Sequence, residues 1–171
     1  MDGESEAAYA EFVREHWRSL VRAAVFLGAS PHEAEDLAQT ALVRCYTAWA
    51  KVTAADDRDA YVYRILLNCL RDARRSRWWK GRVDRQVDHD PSRQVADSTD
   101  AVALADAVHR ALAGLTKPNR EVVVLRYFVQ LSEAQTAATL GISPGTVKSR
   151  LSRSLARLAA DRHLIDLSGR N

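Results

Sequence analysis

The chain has 171 residues, a length that suits one domain or two small ones. Its composition, 47% hydrophobic and 27% charged with only 7 Gly and 4 Pro, is typical of a folded, helix-rich protein and excludes global disorder. The formal net charge of +3 and a pI near 9.1 point only weakly to a polyanionic partner, so the placement of the cations matters more.

The sequence carries no targeting or membrane signal that we recognise. Residues 1–6, MDGESE, are acidic and lack the apolar stretch of a signal peptide, and no apolar run approaches the ~18 residues that span a bilayer. We therefore expect a cytoplasmic protein with no membrane insertion. Cys45 and Cys69 fall at core-facing positions of predicted helices, so we expect buried thiols and neither a disulfide, a metal nor a cofactor.

Two helices are predicted at the start of the chain. The first follows an apolar stripe that begins at Tyr9, and Gly28 ends it. The second opens at Ser30, which caps it, with Pro31 at the first helical position and Glu33 completing a capping box. Its apolar stripe is Ala34, Leu37, Ala38, Ala41, Leu42, Cys45 and Trp49.

A third helix follows a polar break at residues 53–59. Its stripe is Tyr61, Val62, Ile65, Leu66, Cys69 and Leu70. Because the three helices could share one core, residues 1–79 are predicted to form a first domain. Residues 80–100 hold five Asp, three Arg and no long apolar run, so ordering them would cost more entropy than burial returns. We expect a flexible linker there.

Helical periodicity returns between Val102 and Leu115 and marks a second domain, residues 101–165, followed by a tail at 166–171. The stretch 121–131, EVVVLRYFVQL, is rich in β-branched and aromatic residues and by propensity alone could be a strand. A lone strand would have no pairing partner, so a buried helix is the better interpretation. The predicted fold class is all-α: two small helical domains joined by a flexible linker.

A helix-turn-helix pattern closes the second domain. Ser132 and Gln135 form a second capping box at the start of a short helix, and residues 141–143, Gly-Ile-Ser, make a tight turn. Pro144 then opens a helix that continues to about Ala160. This succession of helix, glycine-containing turn and helix is typical of DNA-binding domains.

The last helix divides into two faces when it is projected at about 100° per residue. Val147, Leu151, Leu155 and Leu158 are expected to pack inward. The remaining side chains, short hydroxyls and long cations, suit a major groove, where Arg and Lys reach guanine edges. They are Thr146, Lys148, Ser149, Arg150, Ser152 and Arg153. The alternative is a solvated basic surface, and the preceding helix and turn favour DNA binding.

Residues 145–158, GTVKSRLSRSLARL, resemble the end of region 4 of the extracytoplasmic-function sigma factors, the compact two-domain members of the sigma-70 family. Residues 131–137, LSEAQTA, are similar to an actinobacterial branch of that group, many members of which carry Ile where this chain has Thr136.

The first domain carries the same resemblance. Residues 34–41, AEDLAQTA, followed by Trp49, resemble region 2.2, and residues 60–68, AYVYRILLN, followed by a run of arginines, resemble regions 2.3 and 2.4. The resemblance covers residues 8–79 and 102–160. Two positions depart from it: Tyr61 stands where Trp is common, and Val52 stands where many members carry an aromatic residue.

The resemblance implies a non-enzymatic subunit that directs core RNA polymerase to promoters. Docking on the polymerase β′ clamp helices would use Glu35, Asp36, Gln39 and Thr40, with the second domain reaching the β flap. The helix-turn-helix would hold the −35 element. Reading and melting of the −10 element would use Tyr61, Arg64, Asn68, Arg71, Arg74 and Arg75. A monomer when free and a possible anti-sigma partner are also implied.

Some roles stay open on the sequence. Asn68 could bond an unstacked −10 base or serve only in helix packing. Trp78 and Trp79 interrupt the cation-rich stretch from Arg71 to Arg82, and they could stack on DNA bases or close the end of the first core.

Two rival classes explain less of the chain. A stand-alone helix-turn-helix regulator would account for residues 116–160 but would leave the first domain without a purpose. An enzyme is disfavoured because the five histidines are scattered and no phosphate loop or nucleophile grouping is recognisable.

Overall fold

The computed structural model describes residues 3–80 and 99–161, with side-chain surroundings for 3–76 and 104–161. Within this part of the chain there are eight α-helices, one π-helical turn and no strand, so the all-α prediction is confirmed. The helices are α1 Gly3–Phe26, α2 Pro31–Thr47, α3 Trp49–Thr53, α4 Arg58–Lys80, α5 Thr99–Ala113, α6 Lys117–Val123, α7 Glu133–Leu140 and α8 Pro144–Ala159. Most of the predicted linker and the predicted tail lie outside the described residues.

The signals read at the α1–α2 junction are confirmed. Gly28 has a φ of 99°, a left-handed conformation that glycine adopts without strain, and it ends α1. At the start of α2 the Ser30 hydroxyl accepts from the Glu33 amide at 3.4 Å, and the Glu33 carboxylate accepts from the Ser30 amide at 2.9 Å. The second capping box, between Ser132 and Gln135, forms in the same way at the start of α7.

The second predicted helix is broken before its end. Ala48, with φ −112° and ψ 23°, separates α2 from the short helix α3, which contains Trp49 and Val52. Both of these side chains are buried, so the break turns the chain while keeping the apolar stripe in the core. The sequence pattern placed Trp49 on the correct face but in the wrong helix.

The ambiguous segment 121–131 is helical, as expected. It runs from α6 into a π-helical turn at Val124–Phe128, and Gln130 then takes a positive φ of 66° as the chain leaves it. The residues from Val122 to Leu125 are all essentially buried. Because these four consecutive residues are buried, this turn of the helix has no polar face, which explains why its period could not be read.

The described helices form two lobes. The first lobe, α1–α4, surrounds Leu20, Leu66 and Leu67, which have no exposed surface. The second lobe, α5–α8, has a small cluster of its own, formed by Val122, Ala137 and Val147.

The two lobes lie against each other and their apolar side chains form one continuous core. Phe26 of the first lobe and Phe128 of the second have ring centroids 4.1 Å apart. Helix α7 packs on α4, where the buried Thr139 hydroxyl donates to the Ala60 carbonyl at 3.3 Å. The first helix of the helix-turn-helix is therefore supported by the first lobe as well as by its own.

Candidate nucleic-acid interface

Local signals position α8. Gly141, with a φ of 67°, ends α7, and Ser143 caps α8 by accepting from the Thr146 amide at 3.2 Å. Val147, fully buried, fixes the helix in the second lobe. The helix-turn-helix geometry predicted from the sequence is therefore present.

The six residues predicted to contact the −35 element share the outer part of α8, and we call them the −35 face. Lys148, Ser149, Ser152 and Arg153 are exposed, whereas Thr146 and Arg150 are half-buried. The Arg153 guanidinium donates to the Ser149 carbonyl at 3.1 Å, which holds it along the helix. None of the ion pairs found among the described residues involves these cations, so they are available to phosphates and base edges.

The inward face of α8 differs from the prediction at one position. Leu155 is 37% exposed, and the fully buried residue is Ser154, whose hydroxyl donates to the Arg150 carbonyl at 2.7 Å. At about 100° per residue, position 154 lies roughly 20° from Val147 and position 155 roughly 80° away. Leu155 was expected to pack inward because it is apolar. That expectation was wrong, because its angular position on α8 is too far from that of Val147.

On α4 the predicted −10 residues form a stripe that we call the −10 face: Tyr61, Arg64, Asn68, Arg71 and Arg75. Arg64, Asn68 and Arg75 are exposed, and the Arg64 guanidinium lies 5.1 Å from the centre of the Tyr61 ring. A guanidinium over a tyrosine ring is a favourable cation–π contact. Asn68 is exposed and therefore does not serve as a buried packing asparagine.

Two of the predicted −10 arginines are engaged within the chain. Arg71 forms an ion pair with Glu121 of the second lobe, with 3.0 Å between nitrogen and oxygen. Arg74 lies off the −10 face and donates to the Leu27 carbonyl at 2.6 Å. The sequence analysis assigned no role to Glu121. Its position as a single acidic residue before the apolar run of α6 was nevertheless a signal, because a carboxylate that becomes buried needs a partner.

The residues predicted to bind polymerase lie on the outer face of α2. Glu35, Asp36, Gln39 and Thr40 are all exposed. Two large apolar side chains that the sequence analysis did not single out continue this outer surface toward the end of the helix. They are Val43 and Tyr46, 55% and 44% exposed.

Other predicted positions have structural roles. Val52 is fully buried in the first core and faces no open pocket. Cys45 and Cys69 are free and buried, and burial raises the pKa of both thiols, that of Cys45 to about 11 with a further contribution from Cys69. Such thiols are poor nucleophiles at neutral pH. The Trp78–Trp79 pair, Arg77, Lys80 and Arg82 lie outside the residues whose side chains are described.

The described residues contain neither a candidate metal site nor a candidate membrane-spanning helix. No group of three or more His, Cys, Asp or Glu side chains in residues 3–76 and 104–161 is placed to hold a metal ion. No helix in the described part of the chain is both long and apolar enough to cross a bilayer.

Comparison with known families identifies both lobes. Residues 12–80 match the model of Sigma-70 region 2, and residues 105–158 match that of Sigma-70, region 4. The chain is 40% identical over 164 residues to RNA polymerase sigma-E factor of Streptomyces avermitilis, covering 95% of this chain and 89% of that one. It is 32% identical over 152 residues to the ECF RNA polymerase sigma factor SigM of Mycobacterium tuberculosis, covering 89% and 76%.

Solved structures agree with the sequence relatives. CnrH, determined in complex with the cytosolic domain of CnrY, superimposes with a TM-score of 0.67 at 28% identity, covering 94% of this chain and 89% of that one. The sigma factor RpoE of Bartonella quintana, determined with the anti-sigma factor NepR, gives 0.66 at 25% identity, covering 88% and 94%.

The fold and its two helical faces thus define a two-lobed transcription initiation factor. The chain belongs to the extracytoplasmic-function group of the sigma-70 family of RNA polymerase sigma factors, and its relatives include actinobacterial members. The resemblance read from the sequence is confirmed.

Proposed function

We propose that this sigma factor binds core RNA polymerase and directs initiation at promoters that carry a −35 and a −10 element. The single observation that carries the proposal is the pair of polar, cationic helix faces, one on each lobe, in the order of the two matched sigma regions. We propose that it acts in the cytoplasm, as a monomer until it meets polymerase.

The −35 face reads duplex DNA in this proposal. Lys148 and Arg153 are exposed cations separated by more than one helical turn, a spacing that lets α8 lie in a major groove with one contact at each end. Ser149 and Ser152 lie between them and can bond either base edges or phosphates.

The −10 face captures unpaired bases. The Tyr61 ring, covered on one side by Arg64, offers a stacking surface, and the exposed amide of Asn68 lies two turns further along the same stripe. Stacking and hydrogen bonds to unstacked bases offset part of the cost of separating the strands. The chain forms and breaks no covalent bond in this process.

The outer face of α2 supplies the polymerase contact. Asp36 and Gln39 provide polar groups, and the neighbouring Val43 and Tyr46 provide apolar surface that a partner helix of the β′ clamp can bury. The second lobe reaches the β flap. Because the Bartonella RpoE was solved with the anti-sigma factor NepR, we also propose that an anti-sigma factor restrains this chain.

The test is transcription with sigma-free core enzyme. The purified chain is added to core polymerase, and the RNA 5′ ends made from genomic fragments are sequenced. The expected result is initiation at a discrete set of sites that share paired −35 and −10 elements. If the chain neither binds core enzyme nor redirects initiation, and instead dimerises and protects DNA alone, it is an operator-binding regulator.

Two variants test which promoter element each face recognises. Arg153→Ala is expected to lower transcription from −35-dependent promoters by about 10–100-fold, the value of one lost base or phosphate contact of about 1–3 kcal/mol. Asn68→Ala is expected to change the preferred −10 sequence. Arg110→Ala, an exposed cation of α5 paired within its own helix, is the matched control and should leave both unchanged.

A further inference from the structure

One exposed ion pair of the first lobe lies at the border of the −10 face. The Nη1 and Nη2 atoms of Arg44, on α2, both donate to the same carboxylate oxygen of Asp72, on α4, each at 3.2 Å. The two side chains are 47% and 49% exposed, and a pair as exposed as this one contributes little to the stability of a fold. Its position is therefore more informative than its strength.

Asp72 lies among the side chains that are proposed to meet DNA. At about 100° per residue it is displaced by roughly 40° from Asn68, one turn before it, and by roughly 60° from Arg75, one turn after it. Asn68 and Arg75 are exposed members of the −10 face. An unpaired carboxylate at this position repels the phosphates of a DNA strand, and it can also neutralise Arg75.

Arg44 opposes both effects. Arg44 and Asp72 line a groove of about 470 Å³ between α2 and α4, so the guanidinium approaches the carboxylate from the neighbouring helix. Arg75 takes part in none of the ion pairs found in residues 3–76 and 104–161. The cation of α2 thus satisfies the carboxylate of α4, and the charge of Arg75 is left for DNA.

We propose that Arg44 is a positioning residue for promoter opening, which neutralises Asp72 and so keeps an unpaired negative charge away from the −10 face. The inference rests on the proposed function, because it gives Arg44 a role in the use of that face. A pair that merely tied α2 to α4 would need both partners equally. A neutralising cation, by contrast, is needed only while the carboxylate is present.

The experiment compares four holoenzymes, each assembled from core polymerase and one form of the chain: the parent, Arg44→Gln, Asp72→Asn and the double variant. Promoter opening is followed with a fluorescent base analogue in the −10 element of a promoter found by the transcription experiment. Arg44→Gln should open it about two- to fivefold more slowly than the parent, the range for one half-exposed ion pair.

The other two variants are expected to differ from Arg44→Gln in direction. Asp72→Asn removes the carboxylate and leaves the cation, so it should open the promoter at the parent rate or up to about fivefold faster. The double variant should return to within about twofold of the parent rate, because the charge that Arg44 neutralises is gone.

The dependence on salt gives a second readout. An unpaired Asp72 offsets one cation of the −10 face, so fewer counterions are released when DNA binds. The slope of the logarithm of the opening rate against the logarithm of the salt concentration should become shallower by up to about one in Arg44→Gln. It should keep its parent value in the double variant.

Controls separate the proposal from simpler effects. Arg110→Gln removes the exposed cation of a comparable pair in the second lobe, that with Asp106, and should leave the opening rate unchanged. The affinity for core polymerase, measured without DNA, should be the same for all four forms. Urea unfolding checks that each form is folded, and Asp72→Asn alone still tests the sign if Arg44→Gln folds poorly.

Four results would overturn the proposal: an Arg44→Gln rate equal to the parent rate, an Asp72→Asn rate below it, a double variant as slow as Arg44→Gln, or weaker binding of core polymerase in both forms that lack Arg44. In each of them the parent still opens promoters, so the proposed function would stand. A parent chain that does not redirect initiation would contradict the proposed function and remove this inference with it.

Discussion

The −35 face and the −10 face differ in the contacts that their cations make within the chain. The −35 face is formed by one short stretch of α8, its cations are paired with no acidic side chain among the described residues, and Ser143 and Val147 fix its helix. The −10 face lies on a helix of the other lobe, and one of its arginines is bound to Glu121, fifty residues away along the chain. The first face is a local structure, whereas the second depends on how the lobes meet.

The apolar cores of the two lobes also differ, and here the second lobe is the one that depends on the other. The large cluster is formed mainly by the first lobe, and six buried apolar side chains of the second lobe belong to it, whereas the cluster private to the second lobe has only three buried residues. The lobe with the freer recognition face is therefore the less independent one. This predicts that damage to the first core is transmitted to the helix-turn-helix.

The largest effect is expected for Leu66→Ala. Leu66 is fully buried in the first core, and removing a buried Leu side chain lowers the free energy of unfolding by about 2–5 kcal/mol. Because the core is continuous, both lobes should unfold in one earlier transition. Urea unfolding checks this with two probes: tryptophan fluorescence, since all four tryptophans lie within residues 17–79, and far-ultraviolet circular dichroism, which reports both lobes.

Val43→Ala is the control, because that side chain is 55% exposed and its loss should change the free energy of unfolding by less than about 0.5 kcal/mol. If the two probes gave separate transitions, with only the fluorescence transition moved by Leu66→Ala, the lobes would be independent and the continuous core would carry no stability.

The features predicted correctly from the sequence are those that a few neighbouring residues determine. The capping boxes at Ser30 and Ser132 involve residues three apart, and the helix-turn-helix followed from spacing and one glycine. Both were confirmed. The exposure of Leu155 was missed because the inward face of α8 was assigned from its leucines. Ser154, which is polar but lies closer in angle to Val147, takes the buried position instead.

Contacts between distant residues left little trace in the pattern. Glu121 stands in an apolar run, which indicates that it needs a partner, but nothing in the spacing selects Arg71 over the other arginines of α4. The π-helical turn was hidden for a related reason, since the four consecutive buried residues Val122–Leu125 that lead into it show no period. The roles within the −10 face, the clamp contacts and the −35 contacts stay predictions that the transcription experiment tests.

Two buried threonines on α7 test hydrogen bonding at the scale of one hydroxyl. Thr136 is fully buried and its hydroxyl has no hydrogen-bond partner among the described residues. Thr136→Val keeps the shape and removes the orphaned group, so it should raise the free energy of unfolding by about 1–2 kcal/mol, within the usual cost of an unsatisfied buried hydroxyl. Thermal and urea unfolding measure the change.

Thr139→Val is the matched control with the opposite sign. Its hydroxyl, also buried, donates to the Gln135 carbonyl at 2.8 Å and across the lobes to Ala60 at 3.3 Å. Removing it leaves the Ala60 carbonyl without this contact, and a loss of about 1 kcal/mol is expected. If the two variants moved in the same direction, the hydrogen bonding of these two hydroxyls would not decide stability.

The smallest effect concerns the Cys45 thiol, which lies in the first core and away from the lobe contact. Burial raises its pKa from 9.0 to about 11, so the folded state favours the neutral thiol. Its contribution to stability is fully present below pH 9.0 and is lost as the pH rises to about 11. Stability of the parent chain should therefore fall more steeply between pH 8 and 10 than that of Cys45→Ala, by up to about 1 kcal/mol. Urea unfolding at each pH gives the two slopes, and parallel slopes would mean that the thiol ionises as freely in the folded chain as in the unfolded one.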